Sequence, residues 1–304
     1  MRIDKIRKNG YVIYKHEYVN LIDFLDALLS NKINYDIFGT QPSSDDNDYS
    51  FRQTYNFNEA WNMCRFGYNE GFEEFRDEIR KIEFQYVYKF RKINAYKPVG
   101  GSPSVPRYLL GLPDNMHYKQ KINDKKIIDI YFNIAYDSCT TTKQIINRGI
   151  LTLALINYLE KTSFFGINLH FVELARCGDE ILYLDIPLKN DRENLNIKKC
   201  YFPIVHPSFL RRLCFRAFEI TPVQNSWNYG YGTPLTFDDA KFVIDDNLDN
   251  SIYISSPREM GIMGNNLLED LDQFINTINS KYSDVLKNDD DNRDYGYTKK
   301  RRRY

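Results

Sequence analysis

Residues 126–176 restrict the folds open to this chain more than any other stretch. "KIIDIYFNIAY" (126–136) is a β-rich run with partial alternation. "TTTKQIINRGILTLALINYLEKT" (140–162) is helical, with threonines able to cap its start and a charged last turn. "GINLHFVELAR" (166–176) is a second strand. Strand, helix and strand in that order predict two parallel strands joined by a right-handed crossover. "EILYLDIPL" (180–188) follows directly after the turn "CGD" and reads as an antiparallel neighbour.

The flanking elements complete an α/β reading. "EYVNLIDFLDALLS" (17–30) places apolar residues at helical spacing, and "GTQPSSDDNDYS" (39–50) is a polar loop. Residues 56–85 read as helical, with Asn56 or Asn58 as cap. Gly67 and Gly71, four apart, mark either a close backbone approach or a break between two helices. Further on come a helix at 207–220, a strand at 250–257 and a helix at 264–282. The expected organisation is a mainly helical N-terminal region (1–98), a Gly/Pro-rich loop (99–121), an α/β core (122–283) and a charged tail (284–304).

The loop carries "GGSPSVPRYLLGLPDNM" (100–116). It lacks the glycine spacing and the lysine of a phosphate cradle. Val105, Tyr108, Leu109, Leu110, Leu112 and Met116 make it too apolar for a linker. A loop packed on the core, kinked by Pro103, Pro106 and Pro113, is the expectation.

Composition narrows the function classes. Lys plus Arg and Asp plus Glu balance at 41 each, so no global field steers the chain to nucleic acid or anionic lipid. No apolar run is long enough to span a bilayer, so no membrane partner is expected. The N-terminus has no apolar segment of the kind a signal peptide needs. The five cysteines show no CxxC spacing and read as buried thiols of a reducing compartment.

The string "INRGILTLALINYLEKTSFFGINLHFVELAR" after "IIDIYFNIAY" resembles a poorly characterised group of phage and prophage proteins. That group has a helix carrying "RG…LAL…LE" followed by a strand reading "VEL". "FRQTYNFNEAWNMCRFGYNEG" is similar to its F-x-G-x-S…A…G-x-x-G segment, and "VPRYLLGLPDNM" to its V…G-x-P-x-x-M segment. The likeness covers about residues 51–176. Arg52-Gln53-Thr54 departs from it by lacking the expected glycine. The resemblance implies a three-layer, Rossmann-like core of the von Willebrand factor A type. It implies no catalytic residue.

In A-type domains the first strand ends in D-x-S-x-S, whose oxygens hold a divalent ion. Here the nearest positions are Asn133, Ala135 and Asp137, or Asp137, Cys139 and Thr141, and neither supplies the full oxygen set. Asp137, Ser138 and Thr141 leave a degenerate site for a divalent metal. No other cofactor is expected. Arg212, Arg216 and Glu219 fall on one helical face, with Arg211 beside them. That face reads either as solvated with an internal Arg216–Glu219 pair, or as a basic surface for phosphates or carboxylates. Lys299, Lys300, Arg301, Arg302 and Arg303 form a basic terminal cluster suited to nucleic acid, with an acidic block at 289–291 beside it. A metal-dependent nuclease site from His170, Glu173, Asp185 and His206 is disfavoured, because His170 and Glu173 point to opposite faces of a strand.

The function expected is therefore non-catalytic. It is that of an interaction or virion-associated protein, encoded by a phage and acting in the host cytoplasm or the virion. It would bind a protein partner, a phage protein being one candidate. The alternative is nucleic-acid binding or processing through the arginine-rich helix and the basic tail.

Overall fold

The computed structural model describes residues 2–35, 42–89, 96–98, 102–117, 126–161, 165–223, 231–244 and 250–286. Ten strands are found among them: β1 (Arg2–Lys8), β2 (Tyr11–Glu17), β3 (Tyr96–Lys97), β4 (Ser102–Pro103), β5 (Met116–His117), β6 (Lys126–Asn133), β7 (Phe165–Cys177), β8 (Glu180–Lys189), β9 (Thr233–Pro234) and β10 (Ser251–Ile254). The central sheet is mixed, in the order β1-β2-β8-β7-β6-β10, with β9 also paired to β7. A small second sheet has the order β3-β5-β4.

The strand–helix–strand unit is present. β6 and β7 run parallel, from Lys126↔Phe165 to Asn133↔Val172, and the helix Thr142–Lys161 connects them. β8 returns antiparallel to β7 through a turn in which Gly178 takes φ 61°. A parallel β10 continues the sheet beyond β6. The central strands are buried, with Ile128, Ile130, Phe132, Ile167, Leu169, Phe171 and Leu184 all inside.

The N-terminal region differs from expectation at its start. Residues 2–17 are a hairpin, and β2 joins the central sheet parallel to β8, with Val12 opposite Glu180. Asn9 and Gly10 turn it with φ of 52° and 82°, the left-handed pair that a two-residue hairpin turn demands. The helix Leu21–Ser30 follows, with Asn20 Oδ1 accepting from the amides of Ile22 and Asp23. Asn56 caps the helix Phe57–Phe66 by accepting from Glu59 N. Gly67 (φ 106°) ends that helix and Gly71 (φ 70°) precedes the helix Phe72–Lys89, so the two glycines mark a break. Phe24, Leu28, Ile79 and Ile82 share one buried cluster with Ile130, Leu151 and Phe171. Position 98 therefore divides no two cores among the described residues.

The loop is also unlike its expectation. Gly100 and Gly101 lie outside the described residues. Residues 102–117 form β4, a short helix Val105–Leu109 and β5. Val105, Tyr108, Leu109 and Leu110 are 61–77% exposed and do not pack on the core. The segment holds its shape through its own polar groups. Ser104 N donates to Asn115 O at 2.7 Å, Arg107 Nε to Asp114 O at 2.7 Å, and Asn115 Nδ2 to Leu112 O at 2.9 Å. With its backbone satisfied locally, the loop needs no burial to stay ordered.

The expected helix at 207–220 is a π-helical stretch, Phe209–Cys214, running into an α-turn, Phe215–Glu219. It is preceded by a helix the sequence did not suggest, Ile197–Val205, capped by Asn196. Helices Phe237–Ile244 and Leu267–Leu286 complete the described fold. No helix among the described residues is long and apolar enough to cross a membrane.

Candidate functional site

The carboxyl ends of the strands bring the most chemistry together. Asn133, the last residue of β6, is consumed by the fold. Its Oδ1 accepts from Leu174 N and Ala135 N, both at 3.1 Å, and its Nδ2 donates to Tyr253 OH at 2.7 Å. This stitches β6, β7 and β10 together and aims the following residues, Ala135 to Ser138, past the sheet edge. There they line a cavity of about 350 Å³ with Glu173 of β7, Arg211, and the aromatic rings of Phe51, Phe215 and Tyr231.

Glu173 is the unusual group. It is 1% exposed, and its Oε2 has no hydrogen-bond partner. Its one side-chain partner is the Cys214 thiol, itself fully buried. Burial pushes the Glu173 carboxyl well above the ordinary carboxylate range, with the Cys214 hydrogen bond only partly opposing it. Burial thus favours the protonated form of this carboxyl. The sequence contained a signal for it: a lone acid inside the otherwise apolar run "FVELA".

The arginines of the π-helical stretch are not a surface. Arg212 is fully buried and Arg211 is 6% exposed. Arg212 donates from Nη1 to Ser44 O (2.8 Å) and Asp46 O (2.7 Å), from Nη2 to Thr54 O (2.7 Å), and from Nε to Thr54 Oγ1 (3.0 Å). Arg211 donates from Nη1 to Phe51 O at 2.5 Å and lies over the Phe51 ring at 3.8 Å. Arg216 pairs with Asp45 at 2.6 Å and with Glu219 at 3.3 Å. The expected Arg216–Glu219 pair exists, but it is covered rather than solvated. Glu219 also accepts from Ser44 N (2.9 Å) and Tyr231 OH (2.5 Å). The basic face is corrected to an internal clamp on residues 43–55. Helical spacing shows that these side chains share a face; it does not show what lies on that face.

The remaining candidates fare as follows. Thr141 Oγ1 donates to Gln144 Oε1 at 3.0 Å, and Gln144 N donates back to it at 3.3 Å, a reciprocal cap on the helix Thr142–Lys161. Asp137 lies 4.0 Å from Arg258, and the Ser138 carbonyl accepts from Arg211 at 3.4 Å. Thr141 is therefore occupied elsewhere, and of the three only Asp137 and Ser138 line the cavity. Among the described residues no three His, Cys, Asp or Glu side chains could hold a metal ion together. His170 sits 2.8 Å from Asp185 on the sheet face opposite Glu173. Burial works against a proton on His170, but the hydrogen bond and charge of Asp185 prevail and raise its pKa. His206 is buried, and its Nδ1 accepts from Ser208 N at 3.2 Å. Lys299, Lys300, Arg301, Arg302 and Arg303 lie outside the described residues. Of the thiols, Cys200 and Cys214 are buried, whereas Cys139 is exposed and Cys64 and Cys177 are half-buried.

One comparison identifies a family. The model of a domain of unknown function, DUF7192, matches residues 5–282, and the chain belongs to that family. It spans the N-terminal hairpin, the loop and the central sheet alike, and it names neither a phage group nor an A-type domain. No curated protein and no solved structure matches the chain.

Proposed function

We propose that this DUF7192 chain is a non-catalytic binding module that docks a protein partner through residues 105–112. The observation that carries this reading is the exposure of Val105, Tyr108, Leu109 and Leu110, 61–77% each, on a segment whose backbone is already satisfied. Contiguous exposed apolar side chains on a preordered element are a recurrent mark of protein interfaces. Between 105 and 112 the only charge is Arg107, whose Nε is bonded to Asp114 O. A nearly uncharged apolar prong suits a protein surface with an apolar pocket and is a poor match for a phosphate backbone.

The three-layer, A-domain-like arrangement belongs to the same proposal. Arg148 of the helix Thr142–Lys161 lies over Phe132 at 4.4 Å. The helix Phe237–Ile244 sets Phe237 against Tyr253 and Phe242 against Tyr11. Tyr253 is in register with Tyr131, so its face of the sheet is the one opposite Phe132. Helices on both faces support the three-layer reading. The sequence resemblance supplies the setting, a phage product in the host cytoplasm or the virion.

The test is affinity capture of the tagged chain from its host, with and without nuclease treatment. The comparison is with Leu109→Asp/Leu110→Asp, and with a chain ending at Leu286. The expected result is a stoichiometric protein that survives nuclease, is retained by the truncated chain and is lost from the double variant. A partner kept by the double variant would refute the docking site. Nucleic acid that leaves on truncation would favour the alternative function.

A further inference from the structure

The cavity at the carboxyl ends of β6 and β7 plays no part in docking through residues 105–112. Its volume, about 350 Å³, is that of a small-molecule site. Its walls are aromatic: Phe51, Tyr136, Phe215 and Tyr231. Phe215 and Tyr231 are stacked with centroids 3.8 Å apart. Glu173 lines it with an oxygen that no described group satisfies. A buried polar atom left without a partner is destabilising, so a fold keeps one where something else will meet it.

The charges around the cavity decide what that is. Asp137 adds a second carboxyl at the wall, about one-third exposed and 4.0 Å from the largely exposed Arg258. Arg211 is the one cation among the cavity-lining residues, and it is turned into the wall. It donates to the carbonyls of Phe51 and Ser138 and lies over Phe51 at 3.8 Å and Tyr136 at 5.4 Å. Cys214 is the titratable group that acts on Glu173, while Glu173 in turn acts on Tyr136 and Tyr18; the charges of Arg211 and Arg148 are felt at Tyr136. No cation among the described residues acts on Glu173 itself. Two carboxyls, aromatic faces and a guanidinium already committed to carbonyls suit a ligand that carries its own positive charge.

We propose that this cavity binds a small organic cation, an amidinium, guanidinium or primary ammonium on a short flat or aliphatic scaffold, with Glu173 as its counter-ion. On binding, the carboxylic O–H bond of Glu173 breaks and its proton passes to solvent. The carboxylate left behind pairs with the cation, while the Cys214 thiol goes on donating to it. Binding is then coupled to release of a proton, which a neutral or anionic ligand would not cause.

The experiment uses three flat probes of one shape and different charge, benzamidinium, benzamide and benzoate, with the full chain. Calorimetry in two buffers of different ionisation enthalpy counts the protons released. Phenethylammonium and agmatine extend the cationic arm. The expected result is binding of a cation in the millimolar range or tighter, with net proton release near neutral pH. Benzamide and benzoate should bind at least about tenfold more weakly. Glu173→Gln keeps the shape of the side chain but cannot ionise; it should lose both the preference and the proton release. Should that variant fail to fold, the proton count on the unmodified chain still decides. Equal binding of benzamide, preference for benzoate, cation binding without proton release, or no binding of any cationic probe at millimolar concentration would each overturn the proposal.

Discussion

Gly149 lies in the middle of the long connecting helix, where a glycine costs about 1 kcal/mol against alanine. The reason it is there can be tested as a thermodynamic cycle. A Cβ built at position 149 falls deep inside the Ile204 Cγ2 methyl and 3.4 Å from Ile204 Cβ. Ile204 belongs to the helix Ile197–Val205 and is 1% exposed, so it has little room to move away. Gly149→Ala therefore sets an overpacking cost of about 1–3 kcal/mol against a propensity gain of about 1 kcal/mol. A net loss of roughly 1–2 kcal/mol is expected. Ile204→Ala alone removes a buried side chain and should cost about 2–5 kcal/mol. In the double variant the new methyl enters the space that Ile204 vacated. The two losses should then fall short of additivity by about 1–2 kcal/mol. Urea denaturation of the four proteins, with slopes checked for constancy, measures this directly. Additivity within about 0.5 kcal/mol, or a Gly149→Ala variant more stable than the parent, would refute the close-approach argument.

Other consequences follow from the buried polar groups. Arg212→Met should destabilise by about 3–5 kcal/mol, since it strands the carbonyls of Ser44, Asp46 and Thr54, and Arg212→Lys should recover only part of that; denaturation midpoints give the comparison. Burial holds His16 down at about 3 and His206 at about 4. The unfolded chain therefore binds more protons below about pH 6.5, and stability present above that value is lost as the pH falls towards those two pKa values. His206→Gln should lower the slope of stability against pH in that window by about 1.4 kcal/mol per unit. Glu173 acts with the opposite sign. Its folded pKa is raised, so its contribution to stability declines as the pH rises above the unfolded value, and Glu173→Gln should gain more Tm over the parent at about pH 8 than at about pH 5. Added Mg²⁺ should leave the Tm unchanged, because the Thr141 hydroxyl is held in the helix cap; a shift abolished by Asp137→Ala would show that the degenerate site binds metal after all.

The central unit was legible because its signals are local and strong. Apolar periodicity places β6, the helix and β7, and the two-residue turn Gly178–Asp179 requires β8 to run antiparallel. The N-terminal hairpin went unread although "KNGY" advertises it, since a pair of strands says nothing of the distant β8 that one of them joins. Burial was the harder property. Arg211 and Arg212 look like surface until the segment 43–55 is laid over them. Leu109 and Leu110 look like core until their loop proves able to satisfy its own backbone. Both errors arise because covering depends on contacts far along the chain. Gln53 gives the reverse case. Where the resemblance expects a glycine, Gln53 stands in the left-handed region at φ 60°, so that expectation had a conformational cause. The "RG" pair is likewise explained: Arg148 donates to Ser255 O at 2.7 Å, and Gly149 admits Ile204.

The placement of β2 has a consequence for synthesis on the ribosome. Its partner is far along the chain: Tyr14 OH meets Glu180 Oε1 across 166 residues. At translation speeds of about 5–20 residues per second, the hairpin emerges roughly 8–33 s before its strand mate. Throughout that interval an unpaired edge faces the crowded exit of the ribosome. The β1 sequence "RIDKIRK" puts four basic residues and one acid along the outer strand, the charge that discourages a stray strand from adding there. Residues 2–17 thus act as a waiting part of the sheet, its outer β1 edge guarded by charge while the β2 edge stays open for β8.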